Sequence, residues 1–152
     1  MEVRLAKVCD TGGWLALVEQ VRSSFPGLES REAMEEHRET VLAFIARDEA
    51  ICAVDGDHLV GALLFSKEAE MLCFLAVDAD YRRRGIAGQM VEYMLTFLEP
   101  GREITVTTYR EGAPEGAAAR AFYKRLGFTE GKLTEELGSP VQEFRWKRSK
   151  GE

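Results

Sequence analysis

The spacing of apolar and polar positions along this chain changes several times, and each change marks an element. "EVRLAKV" near the start alternates and predicts a strand. "TGGWLALVEQVRSSF" then takes a helical period, with Trp14, Leu17, Val18 and Val21 on one stripe and Pro26 and Gly27 as the stop. A second helix is predicted from about Ser30 to Arg47. There Met34, Val41, Leu42 and Ile45 keep the spacing and His37 falls on the same stripe. "AICAVDGDHLVGALLF" reads as two β runs joined at Asp55-Gly56-Asp57, a strong hairpin signal.

"MLCFLAV", Met71 to Val77, is apolar without alternation, which predicts a strand covered on both faces in the middle of a sheet. The next helix carries Ile86, Met90, Met94 and Phe97 on its stripe and ends at Pro100-Gly101. "EITVTTYR" is another strand. "GAAARAFYKRLGF" is a short helix with the stripe Ala119, Phe122 and Leu126 and with Gly127 in the C-cap position. Two more strand-like runs occupy Phe128 to Lys147 around Gly138-Ser139-Pro140. The expected order is βααβββαβαββ, an α/β (α+β) chain built on a central sheet. With no repeat and no linker, the chain reads as one domain over residues 1–148 with a disordered tail at 149–152.

Composition narrows the class. Apolar and charged fractions of 45% and 30% are those of a globular protein, and no apolar run is long enough for a transmembrane helix. "MEVRLAKVCD" interleaves charges with aliphatics and has no apolar signal core, so the expectation is a cytoplasmic protein without a membrane partner. Cys9, Cys52 and Cys73 are odd in number and widely spaced, which predicts buried, reduced thiols. The formal net charge of −6 argues against a nucleic-acid partner and favours a cationic small molecule or basic peptide. His37, His58 and the cysteines lack metal-ligand spacing, so no metal is expected.

One segment departs from ordinary helix design. A helix N-terminus carries partial positive charge from its unpaired N–H groups and favours acids in its first turn. Here Arg82, Arg83 and Arg84 stand at that point, followed by Gly85, Ile86, Ala87 and Gly88. Two glycines at a helix start cost up to about 1 kcal/mol each relative to alanine. A strand running through Arg-x-x-Gly-x-Ala into a helix gathers several backbone N–H groups in one concavity, a site for an anion such as phosphate. The anion then supplies the missing negative charge. Neither a nucleotide triphosphatase loop nor a dinucleotide fingerprint is present.

"VDADYRRRGIAGQM" resembles the signature of the GNAT N-acetyltransferase superfamily, Arg/Gln-x-x-Gly-x-Gly/Ala, at Arg82, Gly85 and Ala87. "AARAFYKRLGF" is similar to that family's second cofactor element, a helix ending in Tyr-x-x-x-Gly-Phe. The resemblance implies a mixed sheet splayed between its fourth and fifth strands, with acetyl-CoA, the cosubstrate, wedged into the opening. Its pyrophosphate is expected on the amides from Arg83 to Gly88, which include Gly85, Ile86 and Ala87, with Arg82 and Arg84 adding charge. Its pantetheine is expected to pair like an added strand with Leu75, Ala76 and Val77. A primary amine would approach from the opposite side, and homodimer pairing through the last strands is an option that relatives use. One departure stands out: Gly116 occupies the place, seven residues before the tyrosine, where the family often has asparagine.

The implied reaction is direct transfer through a tetrahedral intermediate to an amine of a small molecule or peptide. It needs a neutral amine, a stabilised oxyanion and a protonated leaving thiolate. Tyr123 matches the family tyrosine that donates to the thiolate. A backbone N–H near Leu75 to Val77 would hold the oxyanion. Glu70, at the entry to the fourth strand, is the catalytic carboxylate candidate, although Met71 stands in the usual register and a bulge is needed to correct it. His37 is the other base candidate. Acceptor loops are expected around Phe25 to Glu29 and Tyr109 to Glu115, where Glu29, Glu111 and Glu115 could receive a cationic amine. The alternative reading is a non-catalytic acyl-CoA-binding or sensing module.

Overall fold

The computed structural model describes residues 1–22, 28, 30–136 and 138–147. Its strands are β1 (Glu2–Leu5), β2 (Ala50–Asp55), β3 (His58–Ser66), β4 (Met71–Val77), β5 (Glu103–Tyr109), β6 (Thr129–Glu136) and β7 (Ser139–Lys147). Its helices are α1 (Thr11–Val21), α2 (Arg31–Ala46), α3 (Ile86–Leu95) and α4 (Ala117–Leu126). Chain order is βααβββαβαββ, as the hydrophobic pattern predicts. The expected helix stop at Pro26-Gly27 and the expected tail at 149–152 lie outside the described residues. Among the described residues, no helix is long and apolar enough to cross a membrane.

Local chemistry sets the boundaries. Ser30 caps α2, its side chain accepting the Ala33 N–H at 3.0 Å. Gly56, at φ +62°, turns β2 into β3 with Asp57. Gly127, at φ +113°, ends α4 in the left-handed conformation.

The seven strands form one sheet in the order β1-β2-β3-β4-β5-β7-β6. Every neighbouring pair is antiparallel except β4 and β5. One apolar core joins α3 (Ile86, Met90, Met94) and α4 (Tyr123) to residues of β2 to β5 and to Phe144 of β7. A second joins α1 (Trp14, Leu17, Val18) and α2 (Val41) to Cys52, Ala62, Leu64, Phe74 and Ala76. The central strands are therefore covered on both faces, which is why β3 and β4 lack polar alternation.

Two expectations are corrected. In α4 the buried positions are Arg120 and Tyr123, while Ala119, Phe122 and Leu126 are only half-buried against the core. The helix is rotated because Arg120 is drawn inward. Its guanidinium donates to the Tyr109 carbonyl at 3.0 Å, to Gln142 Oε1 at 2.8 Å and to the Glu130 carboxylate, and it stacks over the Phe144 ring. Of the thiols, only Cys52 is buried; Cys9 and Cys73 are exposed. Cys9 lies in a turn before α1, and Cys73 is displaced by an irregularity in β4.

Arg120→Met keeps the volume and leaves the acceptors of a buried cation unsatisfied. It should lower unfolding free energy by about 3 kcal/mol in urea denaturation, whereas Arg125→Met, on the exposed side of the same helix, should change it by less than about 0.5 kcal/mol.

Candidate functional site

β3 and β4 pair along their length, and β5 pairs with β7 through seven residues. Between β4 and β5 the parallel ladder holds only one pair, Met71 with Thr105. Beyond it the two strands part, so the edge of Leu75, Ala76 and Val77 that faces β5 has no strand partner. An irregularity accompanies the split: Leu64 pairs with Phe74 and Phe65 with Leu72, leaving Cys73 as the extra residue. Leu72 consequently faces α3 while Phe74 faces α1 and α2. Packing around the Cys73 sulfur raises the thiol to about 11, with the charges of Glu49 and Glu136 adding to the shift and Arg47 opposing it.

The turn after β4 is firmly held. Asp78 accepts the Asp80 N–H at 2.9 Å and lies 3.1 Å from His58 Nε2, and the Ala79 N–H donates to Gln20 at 3.1 Å. Burial alone would raise the Asp78 carboxyl; the donors at Asp80, His58 and Gln20 outweigh it and hold the group below its ordinary range. The Tyr81 hydroxyl donates to Asp55 at 2.8 Å, and the Arg84 guanidinium sits 4.7 Å above the Tyr81 ring.

Arg83 at φ +64° and Gly85 at φ +76° bend the chain into α3. The Gly85 carbonyl already accepts the Gln89 N–H at 3.0 Å, so the helix has begun and the N–H groups of Ile86, Ala87 and Gly88 have no intrahelical acceptor. A Cβ at Gly85 or Gly88 would meet nothing within 4 Å. Close packing therefore does not account for these glycines. They leave the backbone open beside the exposed Arg82, Arg83 and Arg84, a cationic cradle suited to phosphate oxygens.

The remaining predicted residues fall at different places. Tyr123 is buried among Phe122, Phe128 and Phe144, and burial raises its phenol well above the ordinary range, so it stays protonated and can donate. Glu70 lies just before β4 at φ +53°, where its carbonyl accepts the Thr105 N–H and its carboxylate meets Arg102 at 2.7 Å. That is the paired end of the two strands. His37 packs on Phe74 with ring centres 4.8 Å apart, and its Nε2 accepts the Trp14 indole N–H at 3.2 Å. Burial lowers its pKa to about 4. With that lone pair engaged, His37 ties α2 to α1. Phe25 and Glu29 lie outside the described residues.

Gly116 has a steric reason. A Cβ there would stand 2.6 Å from the Tyr109 Cβ, so the asparagine that the resemblance leads one to expect does not fit beside Tyr109. Sequence reading missed this pairing, since a glycine's neighbour seven residues away is not visible in spacing. A cavity of about 380 Å³ opens next to it, lined by Glu111, Gly112, Ala113, Pro114, Arg120 and Lys124 among others.

A family profile described as an acetyltransferase (GNAT) domain matches residues 42–130, from α2 into β6. The chain belongs to this family. Residues of the chain are 37% identical over 59 positions to the [ribosomal protein bS18]-alanine N-acetyltransferase of Salmonella typhimurium, a match covering 39% of this chain and 38% of that protein. Among solved structures, a GNAT-family acetyltransferase from Streptococcus agalactiae superposes with a TM-score of 0.76 at 13% identity, covering 98% of this chain and 96% of that one. A GNAT-family acetyltransferase from Bacillus cereus gives 0.72 at 19% identity, covering 97% and 96%. The ribosomal L7/L12 alpha-N-protein acetyltransferase RimL, solved with coenzyme A, gives 0.67 at 15% identity, covering 96% and 93%. At these identities the structures share the fold.

Gly116→Ala should destabilise the protein by about 1–3 kcal/mol through overpacking against the Tyr109 Cβ, and Tyr109→Gly, which removes that atom, should make the added cost of Gly116→Ala smaller in the double variant; paired thermal melts measure both. His37 predicts acid sensitivity. Its folded pKa of about 4 lies below the unfolded value of ~6.5, so the unfolded state binds more protons between them. Stability falls as pH drops through that window, by at most about 1.4 kcal/mol per unit from this group. His37→Gln, which keeps an acceptor for Trp14, should flatten that slope in urea titrations at pH 7, 5.5 and 4.5.

Proposed function

We propose that this protein transfers the acetyl group of acetyl-CoA to a primary amine, the amine entering on the sheet face opposite α3 and α4. One observation carries the reading. The unpartnered edge of β4 at Leu75 to Val77 runs directly into a turn that presents free helix N–H groups and three arginines. An extended ligand with amides at one end and a pyrophosphate at the other matches both halves, and the pantetheine and diphosphate of acetyl-CoA have that order. Membership of the acetyltransferase family and a structural neighbour solved with coenzyme A support the same ligand.

The chain's own groups then divide the work. Backbone from Leu75 to Val77 aligns the pantetheine and offers an N–H to the oxyanion. The amides from Arg83 to Gly88, with Arg82 and Arg84 nearby, hold the pyrophosphate. Tyr123 keeps its proton at neutral pH and donates it to the sulfur as the carbon–sulfur bond breaks. Two of the relatives named above, the bS18-alanine N-acetyltransferase and RimL, act on ribosomal proteins, which supports a peptide α-amine as acceptor alongside polyamines.

Purified protein should release free CoA thiol from acetyl-CoA when given spermidine, an aminoglycoside or a short peptide beginning with alanine. Tyr123→Phe should lower kcat by about 10²-fold with little change in acetyl-CoA affinity by calorimetry. Arg83→Ala combined with Arg84→Ala should weaken acetyl-CoA binding about tenfold or more while leaving kcat nearly unchanged. Tight acetyl-CoA binding without transfer to any amine would instead make the chain a sensing module.

A further inference from the structure

β4 brings no unpaired carboxylate to the split: Glu70 precedes the strand and is held by Arg102, and Met71 follows it. The other sheet face offers one. Ile104 and Val106 of β5 pack toward α3, so Thr105 and Thr107 point to the opposite face, together with Glu143 and Arg145 of β7. The core beneath α1 and α2 contains no residue of β5, β6 or β7. Among the described residues, this face next to the split adds nothing to that core.

Glu136, the last residue of β6, pairs with Ser139, whereas Thr107 pairs with Glu143, four residues farther along β7. The Thr107 hydroxyl nevertheless donates to the Glu136 carboxylate at 2.7 Å. The end of the β6–β7 hairpin must bend over the face and carry this carboxylate across β7 to β5. Arg110 secures the bend by donating to the carbonyls of Val141 at 3.1 Å and Thr134 at 2.8 Å. Thr107 stands two residues past the last paired rung, and Cys73 stands two residues past it on β4. The Glu136 charge adds to the upward shift of the Cys73 thiol, in keeping with its reach toward the split.

The neighbouring carboxylates are already neutralised. Glu49 meets Arg47 at 2.7 Å, Arg145 bridges Glu143 at 2.8 Å and Glu103 at 3.0 Å, and Arg102 holds Glu70. Among the described residues, Glu136 forms no ion pair and its recorded partner is a neutral hydroxyl.

We propose that Glu136 receives the acceptor amine at the split and takes the proton that its nitrogen loses on attack. This rests on the acetyltransferase reading. The nitrogen of the neutral amine forms a bond to the acetyl carbonyl carbon, and collapse of the adduct breaks the carbon–sulfur bond with its electron pair going to sulfur. The nitrogen becomes acidic once bonded, so one N–H proton passes to the Glu136 carboxylate while the Tyr123 phenol protonates the sulfur. Water then removes the proton from Glu136 and restores that of Tyr123. Acid and base thus stand on opposite faces of the sheet, and Thr107 aims the carboxylate.

Steady-state CoA release by the full chain, with spermidine and an alanine-initial peptide as acceptors, tests the assignment. Glu136→Gln should lower kcat by at least tenfold, and about 10²-fold for a full general-base contribution, with the acetyl-CoA KM within twofold. Added formate should restore part of the loss in Glu136→Ala. A loss smaller than tenfold in Glu136→Gln overturns the assignment while leaving the acetyltransferase reading intact. Wild-type protein that binds acetyl-CoA and transfers to neither amine overturns both. If Glu136→Gln does not fold, Glu136→Ala decides: formate rescue supports the role, and an unrescued loss overturns it.

Discussion

The separation of β4 from β5 after a single rung is the constraint on which the other features depend. Inside a sheet, a backbone edge without a partner must find hydrogen bonds elsewhere. The edge of Leu75 to Val77 cannot close onto β5, because the strands diverge, and its other edge is fully used by β3. A gap of this kind persists only if both walls are held independently. On the β4 side the holders are β3, α3 and the two apolar cores. On the β5 side they are β7, α4 and the buried Arg120, whose guanidinium joins α4 to the Tyr109 carbonyl, Gln142 and Glu130.

The turn at the mouth of the gap converts this geometry into an electrostatic preference. Left-handed backbone at Arg83 and Gly85 starts α3 abruptly, and the space where a Cβ would stand at Gly85 and Gly88 is empty beside its free N–H groups. Strain at a non-glycine residue such as Arg83 needs support from its surroundings. Asp78, His58, Gln20, Tyr81 and Asp55 supply it through a chain of hydrogen bonds that tie the turn to α1 and to the β2–β3 hairpin. A rigid cradle loses little entropy on receiving a polyanion, which is the general advantage of preorganisation.

The two sheet faces have different chemistry at the gap. The face under α3 and α4 is aromatic and dry, and burial there keeps the Tyr123 phenol protonated. The opposite face at β5 and β7 carries threonines and charged side chains and, among the described residues, adds nothing to the core beneath α1 and α2. An acyl donor lying in the gap would meet a phenol on one side and charged groups on the other. At the β5 wall, Gly116 lets the Tyr109 side chain pack where any Cβ at position 116 would overlap it.

Much of this was legible in the chain itself. Helical and alternating periods were local enough to determine the order βααβββαβαββ, the start of α2 near Ser30 and the Gly56 and Gly127 turns, since each depends on residues a few positions apart. The exposed arginines and helix start of the Arg82 to Gly88 segment were legible for the same reason: they are contiguous in the chain. Local spacing misjudged α4, where it favoured Ala119, Phe122 and Leu126 over the buried Arg120, because a helical arginine reads as a surface residue until its acceptors are known. Cys73 looked like a buried strand residue, and only the pairing of β3 with β4 exposes it. The tie between Glu70 and Arg102, the engagement of His37 by Trp14 and the reach of Glu136 to Thr107 join residues 32, 23 and 29 positions apart. Such contacts are set by how the sheet parts and how its last hairpin bends, and sequence period carries no information about either.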